Sequence, residues 1–231
     1  LDRAQEDPAF AALALRLPDV NELILSSRTP DPERLFQARE TLRRAVATAL
    51  RARLEPIAAA RGETPFSPAA DAAGRRSFKA AALDLLAALG PSQTLIDAYD
   101  NATSMTETIA ALDALGASES PAFDEALARF YARWEHNPLV IDKWFAVQAA
   151  SPRADALTRV ETLKAHSAFS LKNPNRVRSL AAAFAMRNPR AISLEYTAAD
   201  RPYSVSLAIR TASSSSFART IGTAGPKVSS V

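Results

Sequence analysis

One punctuation mark recurs along this chain and constrains its fold more than any other feature: a short polar residue followed at once by proline. It occurs at Asp7-Pro8, Asp31-Pro32, Ser67-Pro68, Ser120-Pro121 and Asn173-Pro174. The polar side chain can accept a hydrogen bond from a free amide of the first turn. Proline, with its fixed φ and no N–H, suits the first helical position. Each pair therefore predicts a helix start. Ser104 with Glu107 three residues on predicts a sixth, at the spacing where hydroxyl and carboxylate satisfy each other's backbone N–H groups.

Between residues 31 and 56 the apolar positions Leu35, Ala38, Leu42, Val46, Ala49, Leu50 and Leu54 recur at steps of three and four, which turns one stripe inward. Arg43, Arg44, Arg51 and Arg53 fall on the other faces, and Pro56 is expected to end or kink the helix by removing a backbone donor. Further helices are predicted at 69–89, 93–99, 105–115, 121–134, 140–150, 154–165 and 174–186. Their links are short and closed by Gly90, Gly116 or an Asn-Pro pair. Short links between short helices force antiparallel neighbours.

Composition agrees. Apolar residues make up 48% of the chain but aromatics only 7%, with just six glycines, a mixture rich in alanine and leucine that favours helix over sheet. A chain of 231 residues can bury a substantial core in one large domain or two small ones. The fold class expected is all-α: an armadillo-like superhelix of antiparallel hairpins over 1–190, each pair burying a face it cannot bury alone. No fixed repeat period is visible, so the armadillo-like label draws mainly on the resemblance described below.

After Pro189 the pattern changes. Residues 211–231 hold six serines, three threonines and no acidic residue, and 203–209 alternates like a strand with nothing obvious to pair it. Residues 191–231 are expected to form a divergent, poorly ordered tail. A shifted reading frame or a gene truncation would explain the abrupt change. The first residue, Leu1 rather than Met, suggests an excised fragment.

Several functions lose support at this level. With no cysteine, disulfides and thiolate metal sites are impossible, which suits a reducing cytoplasm. No apolar run is long enough for a membrane span, and no signal pattern opens the chain. A net charge of +3 from interspersed charges gives little reason to expect nucleic acid. His136 and His166 stand thirty residues apart without a His-Glu-x-x-His around either, and no Gly-x-Ser-x-Gly or glycine-rich phosphate loop occurs.

Two words are distinctive: LVIDKWF at 139–145, with Gln148 and Ala149 after it, and NPNRVRSL at 173–180, ahead of Ala183 and Phe184. Weaker echoes lie at 72–86, around Arg76 and Lys79 but with Ala80 where asparagine is usual, and at 99–112 and 124–134. Together these words resemble the C-terminal helical domain of the aminopeptidase N family, M1 zinc alanyl aminopeptidases of the gluzincin type, over about 7–189. The resemblance implies a larger enzyme whose upstream domains carry the His-Glu-x-x-His zinc site, the zinc being a cofactor of the whole enzyme and not of this chain. It implies a non-catalytic cover that forms the substrate channel, with the catalytic domain of the same polypeptide and peptide substrate as partners. The chain is expected to be inactive alone. A free-standing helical-repeat adaptor for a protein or peptide is the alternative, and an independent hydrolase is disfavoured by the missing ligand spacing.

The substrate-channel candidates are Asn173, Arg176 and Arg178, and no catalytic residue or metal ligand is expected. One reading makes Asn173 a helix cap and the arginines inter-helix ion pairs or carbonyl clamps. The other, implied by the resemblance, turns Arg176 toward the interior channel, where its guanidinium could hold a peptide carboxylate or carbonyl. Trp134, Trp144 and Phe145 read more naturally as core than as a ligand groove, Asp142 and Lys143 as surface or inter-helix pairs, and His166 as a residue at a helix C-terminus.

Overall fold

A computed structural model describes residues 4–188, and all that is described is helical or irregular. Expectations placed on 191–231, the strand-like 203–209 among them, lie outside the described residues. The elements run α1 (Pro8–Leu15), α2 (Val20–Ser26), α3 (Pro32–Ala59), α4 (Ala70–Ala87), α5 (Gln93–Asp100), α6 (Met105–Ala117), α7 (Ala122–Trp134), α8 (Pro138–Ala150), α9 (Ala156–Lys164), α10 (Pro174–Val177), a π-helical turn (Arg178–Ala182) and α11 (Ala183–Arg187).

The caps form largely as the sequence implies. Asp7 accepts from the Phe10 amide at 2.9 Å and Asp31 from the Arg34 amide at 3.1 Å, each with proline in the first turn. Asn137 does the same for α8 and Asn173 for α10. Two predicted starts shift. Pro68 and Pro121 fall just before α4 and α7, and the hydroxyls of Ser67 and Ser120 accept from the amides two residues on, shaping a turn that feeds the helix rather than capping it.

Pro56 does not end α3, which continues to Ala59. The proline costs the helix one hydrogen bond near its end. Leu54 and Ala58 on either side of it are fully buried, and that packing keeps the last turn in place. Helix α2 was not foreseen, although Asp19 and Glu22 make a complete capping box in which each side chain accepts from the other's backbone amide, at 2.8 and 2.6 Å.

Contacts follow chain order, as a stacked array requires. Helices α4, α6, α8 and the π-helical turn with α11 lie side by side in one row, each touching the next. Along this row, α3 packs on α4, α5 on α3 and α6, α7 on α6 and α8, and α9 on α8. One continuous core runs through the stack, and its bulkiest fully buried members are Phe123, Phe130 and Phe145. Burying a ring of that size contributes roughly 1.5–3 kcal/mol. In α7 the buried residues Phe123, Ala126, Leu127 and Phe130 follow the expected steps of three and four. Helix α8, enclosed by α6, α7, α9 and the π-helical turn, buries residues nearly all round, from Val140 to Ala149. Trp144 and Phe145 are core, as read from the sequence, and the Trp144 indole donates to the Leu127 carbonyl at 3.1 Å.

Gly90 closes α4 in the left-handed conformation, with φ +98. Gly116 does not close α6 but lies inside it. The stop comes three residues later at Glu119, with φ 58, where the amides of Glu119 and Ser120 bond back to the carbonyls of Gly116 and Leu115. Gly116 is needed for close approach: a Cβ there would come within 3.0 Å of Ser151 Oγ and 3.1 Å of the Phe123 ring.

Candidate functional site

The second distinctive word folds into the junction between α8, the loop after α9 and α10. Asn173 Oδ1 accepts from the amides of Asn175 at 3.0 Å and Arg176 at 3.2 Å, satisfying two free donors of a very short helix. Arg176, only 5% exposed, is held by three partners. Its Nε donates to Asp142 Oδ1 at 2.5 Å, one terminal nitrogen to the Ala168 carbonyl, and the other to the Pro138 carbonyl at 3.1 Å. Its carbon centre stands 5.0 Å over the Phe145 ring. The planar fork of arginine is what lets one side chain reach three segments at once.

Arg176 thus has the carbonyl-clamp and ion-pair contacts of the first reading. Asp142 is its largely buried partner and not a residue of the exposed surface, because LVIDKWF places it on the α8 face that meets α10. Arg178 is exposed, at the start of the π-helical turn. That turn, where the sequence implied one helix over 174–186, widens the backbone directly after the arginine pair and buries Leu180. Such turns are frequent at functional sites.

A second polar cluster, unforeseen, ties α4 to α6. Lys79 Nζ stands 3.1 Å from Glu107 and donates to the Ala60 carbonyl at 2.8 Å, with both side chains buried. Burial works to raise the Glu107 carboxyl, but hydrogen bonds from Thr103 and Lys79 outweigh it and hold it below the usual range. Because the carboxylate is drawn to Lys79 and Thr103, the predicted box at Ser104 is only half made. The Glu107 amide donates to Ser104 Oγ at 3.3 Å, while the carboxylate accepts from the Thr103 amide at 3.1 Å. Gly62 covers the pair so closely that a Cβ there would lie 2.0 Å from Thr103 Oγ1 and 2.3 Å from Glu107 Oε2.

The histidines are apart in space as in sequence. His136 is exposed. His166 follows α9 and its ring is enclosed by Tyr131, Trp144 and Phe145, with Nδ1 accepting from the Ala168 amide at 3.1 Å. Among the described residues no group of three His, Cys, Asp or Glu side chains stands close enough to hold a metal ion. The donor set of the described residues therefore does not fit a zinc site. Nor is any helix among the described residues long and apolar enough to cross a membrane.

This is an α-solenoid with a buried arginine clamp near its end. Comparison with known proteins gives it a family. The model described as "Domain of unknown function (DUF3458_C) ARM repeats" matches residues 1–194, and the chain belongs to that family. It is similar to aminopeptidase N of Escherichia coli (strain K12), 38% identical over 194 residues, which is 82% of this chain and 22% of that protein. It is also similar to aminopeptidase N of Caulobacter vibrioides, 39% identical over 189 residues, with 79% of this chain and 22% of that protein covered. Among solved structures it is similar to Legionella pneumophila aminopeptidase A in complex with aspartic acid, with a TM-score of 0.71 and 28% identity over 82% of this chain and 24% of that one. The chain spans about a fifth of the length of the relatives it matches. These matches accord with the resemblance read from 139–145 and 173–180, and they do not favour a free-standing adaptor.

Proposed function

We propose that this chain is the non-catalytic C-terminal domain of an M1 zinc aminopeptidase, a helical cover that shapes the channel by which peptides reach a metal centre housed in the rest of the polypeptide. Its partners are that catalytic portion and the peptide, and zinc belongs to the whole enzyme. The absence of cysteine suits a cytoplasmic setting. The observation that carries the reading is identity of 38–39% to two aminopeptidases N along about four fifths of the chain. A cover contributes to such a reaction by restricting entry and excluding bulk water.

In this reading the exposed Arg178 meets a peptide carbonyl or carboxylate, while the buried Arg176, with Asn173 capping the same turn, fixes the backbone that presents it. Direct contact of Arg176 with substrate would require its 5%-exposed side chain to be uncovered, since three of its five N–H donors are already held inside the fold. Sequencing the DNA upstream tests the assignment: a His-Glu-x-x-His codon run in phase with this chain is expected. An unrelated or absent upstream frame would defeat it.

A further inference from the structure

Helices α2, α3, α4, α6, α7, α8 and α11 line a half-open cavity of about 420 Å³, to which Asp142, Ala168 and Arg176 of the clamp do not contribute, within the roughly 300–1,000 Å³ range of small-molecule sites. Its walls are tied together: Asn21 of α2 donates to the Met186 carbonyl at 2.7 Å, and Asn188 after α11 donates to the Ser151 carbonyl at 2.7 Å. Most of its charged groups are engaged. Arg43 holds Glu40 at 2.8 Å and Asp84 at 3.1 Å, Arg39 reaches Glu40 at 2.9 Å and the Pro18 carbonyl at 2.8 Å, and Asp19 caps α2.

Three groups are left over. No described residue donates a hydrogen bond to the Asp113 carboxylate, which feels Arg187 and Asp84 only through space. Arg187, exposed at the end of α11, has no ion-pair partner among the described residues. Ser151, only 5% exposed, carries the one buried side-chain polar atom without a hydrogen-bond partner among the described residues. Asp113 and Gly116 are three residues apart on α6 and so share a face, and the missing Cβ of Gly116 lets Ser151 Oγ pack close against that face. A buried hydroxyl without a partner carries an uncompensated desolvation cost, which a ligand hydrogen bond would relieve.

We propose that this cavity is a binding site for a small zwitterion, a free amino acid or dipeptide, whose ammonium is taken by Asp113 and Ser151 and whose carboxylate is taken by Arg187. The charge pattern selects this class: an anion and a hydroxyl that accept no hydrogen bond from the described residues, and a cation without an ion-pair partner among them, all line the same cavity. A ligand with a single charge would leave one end unanswered. The proposal does not depend on the aminopeptidase reading, since it concerns binding by this chain alone.

Titration of the full 231-residue chain with alanyl-alanine at pH 7.5, followed by calorimetry and by amide resonances of 110–117 and 147–151, tests it. Saturable binding with shifts confined to those segments is expected. N-acetyl-alanyl-alanine, which lacks the ammonium, should bind at least tenfold more weakly, and so should the dipeptide to Asp113→Asn. Arg187→Gln, a change at an exposed position, should weaken the dipeptide about five- to tenfold while leaving alanyl-alanine amide within twofold. Absence of saturation, acetylated dipeptide binding within twofold of the free one, or undiminished binding by a folded Asp113→Asn chain would each overturn it. A bare Asp113–Arg187 ion pair, with no ligand competing, would show as the first of these.

Discussion

Replacing Arg176 by alanine should destabilise the fold far more than an ordinary surface change. The guanidinium is 5% exposed and donates to one carboxylate and two carbonyls, so its loss strands Asp142, whose side chain is itself only 15% exposed, and frees the Ala168 and Pro138 carbonyls. Breaking a buried pair from one side costs about 3–5 kcal/mol, because the remaining charge has no partner. Each kcal/mol lowers the melting midpoint of a domain this size by roughly 2–4 °C, so a fall of about 6–20 °C is expected. Arg176→Lys should lie between, since an ammonium can meet Asp142 but cannot span all three acceptors. The double change Arg176→Met with Asp142→Leu should recover most of the loss, which separates an unpaired charge from a lost contact. Urea unfolding of the four proteins measures these differences. A single alanine variant within 0.5 kcal/mol of the parent, or a double variant worse than either single, would refute the reasoning.

Other consequences follow from particular atoms. Gly62→Ala must push its new methyl against Thr103 and the buried Glu107 carboxylate, so a loss of about 1–3 kcal/mol is expected in the same assay. Arg178→Ala, at an exposed position, should leave stability within about 0.5 kcal/mol but, in the complete enzyme, raise KM for longer peptides more than it lowers kcat. Burial pushes the Asp113 carboxyl up to about 6 from an ordinary 3.8, with Asp84 adding to the rise and Arg187 opposing it. A carboxyl raised in the folded state favours folding at acid pH and loses that advantage as pH climbs from about 4 to about 6. The other charged groups on this cavity, Asp19, Arg39, Glu40 and Arg43, have partners of their own. Asp113→Asn should therefore stabilise the chain above pH 6, by up to about 3 kcal/mol, and flatten its stability profile between pH 4 and 6. An unchanged profile would show that Asp113 is solvated like a surface residue.

How far the sequence disclosed this molecule depends on the reach of each signal. Asp7, Asp31 and Asn173 act within one turn of themselves, and their helices start where the local pattern says, whereas Asn137, read as part of a link before a helix at 140, caps α8 two residues earlier. Helix α2 carried the same kind of signal in Asp19 and Glu22, but with only seven residues and no buried face its periodicity was too short to read. Pro56 misled because burial of Leu54 and Ala58, a property of the neighbouring helices, outweighs one lost hydrogen bond. The clamp was half legible: the arginines of 173–180 could be read as ion pairs or carbonyl clamps, yet nothing local says that Arg176 meets Asp142, 34 positions away. The Lys79–Glu107 pair and its cover by Gly62 join three separate segments and leave no mark on any one of them. The same holds for the cavity, whose unengaged groups come from α6, the end of α8 and α11.

As proposed above, this chain governs access to a metal centre housed in the rest of the polypeptide. The most direct measurement is peptide hydrolysis and zinc content of the purified chain, alone and mixed with the metal-bearing remainder of the enzyme. No turnover and no stoichiometric zinc alone, with activity toward peptides rising when the two parts combine, is the predicted result. Zinc-dependent cleavage by the 231-residue chain on its own would contradict it.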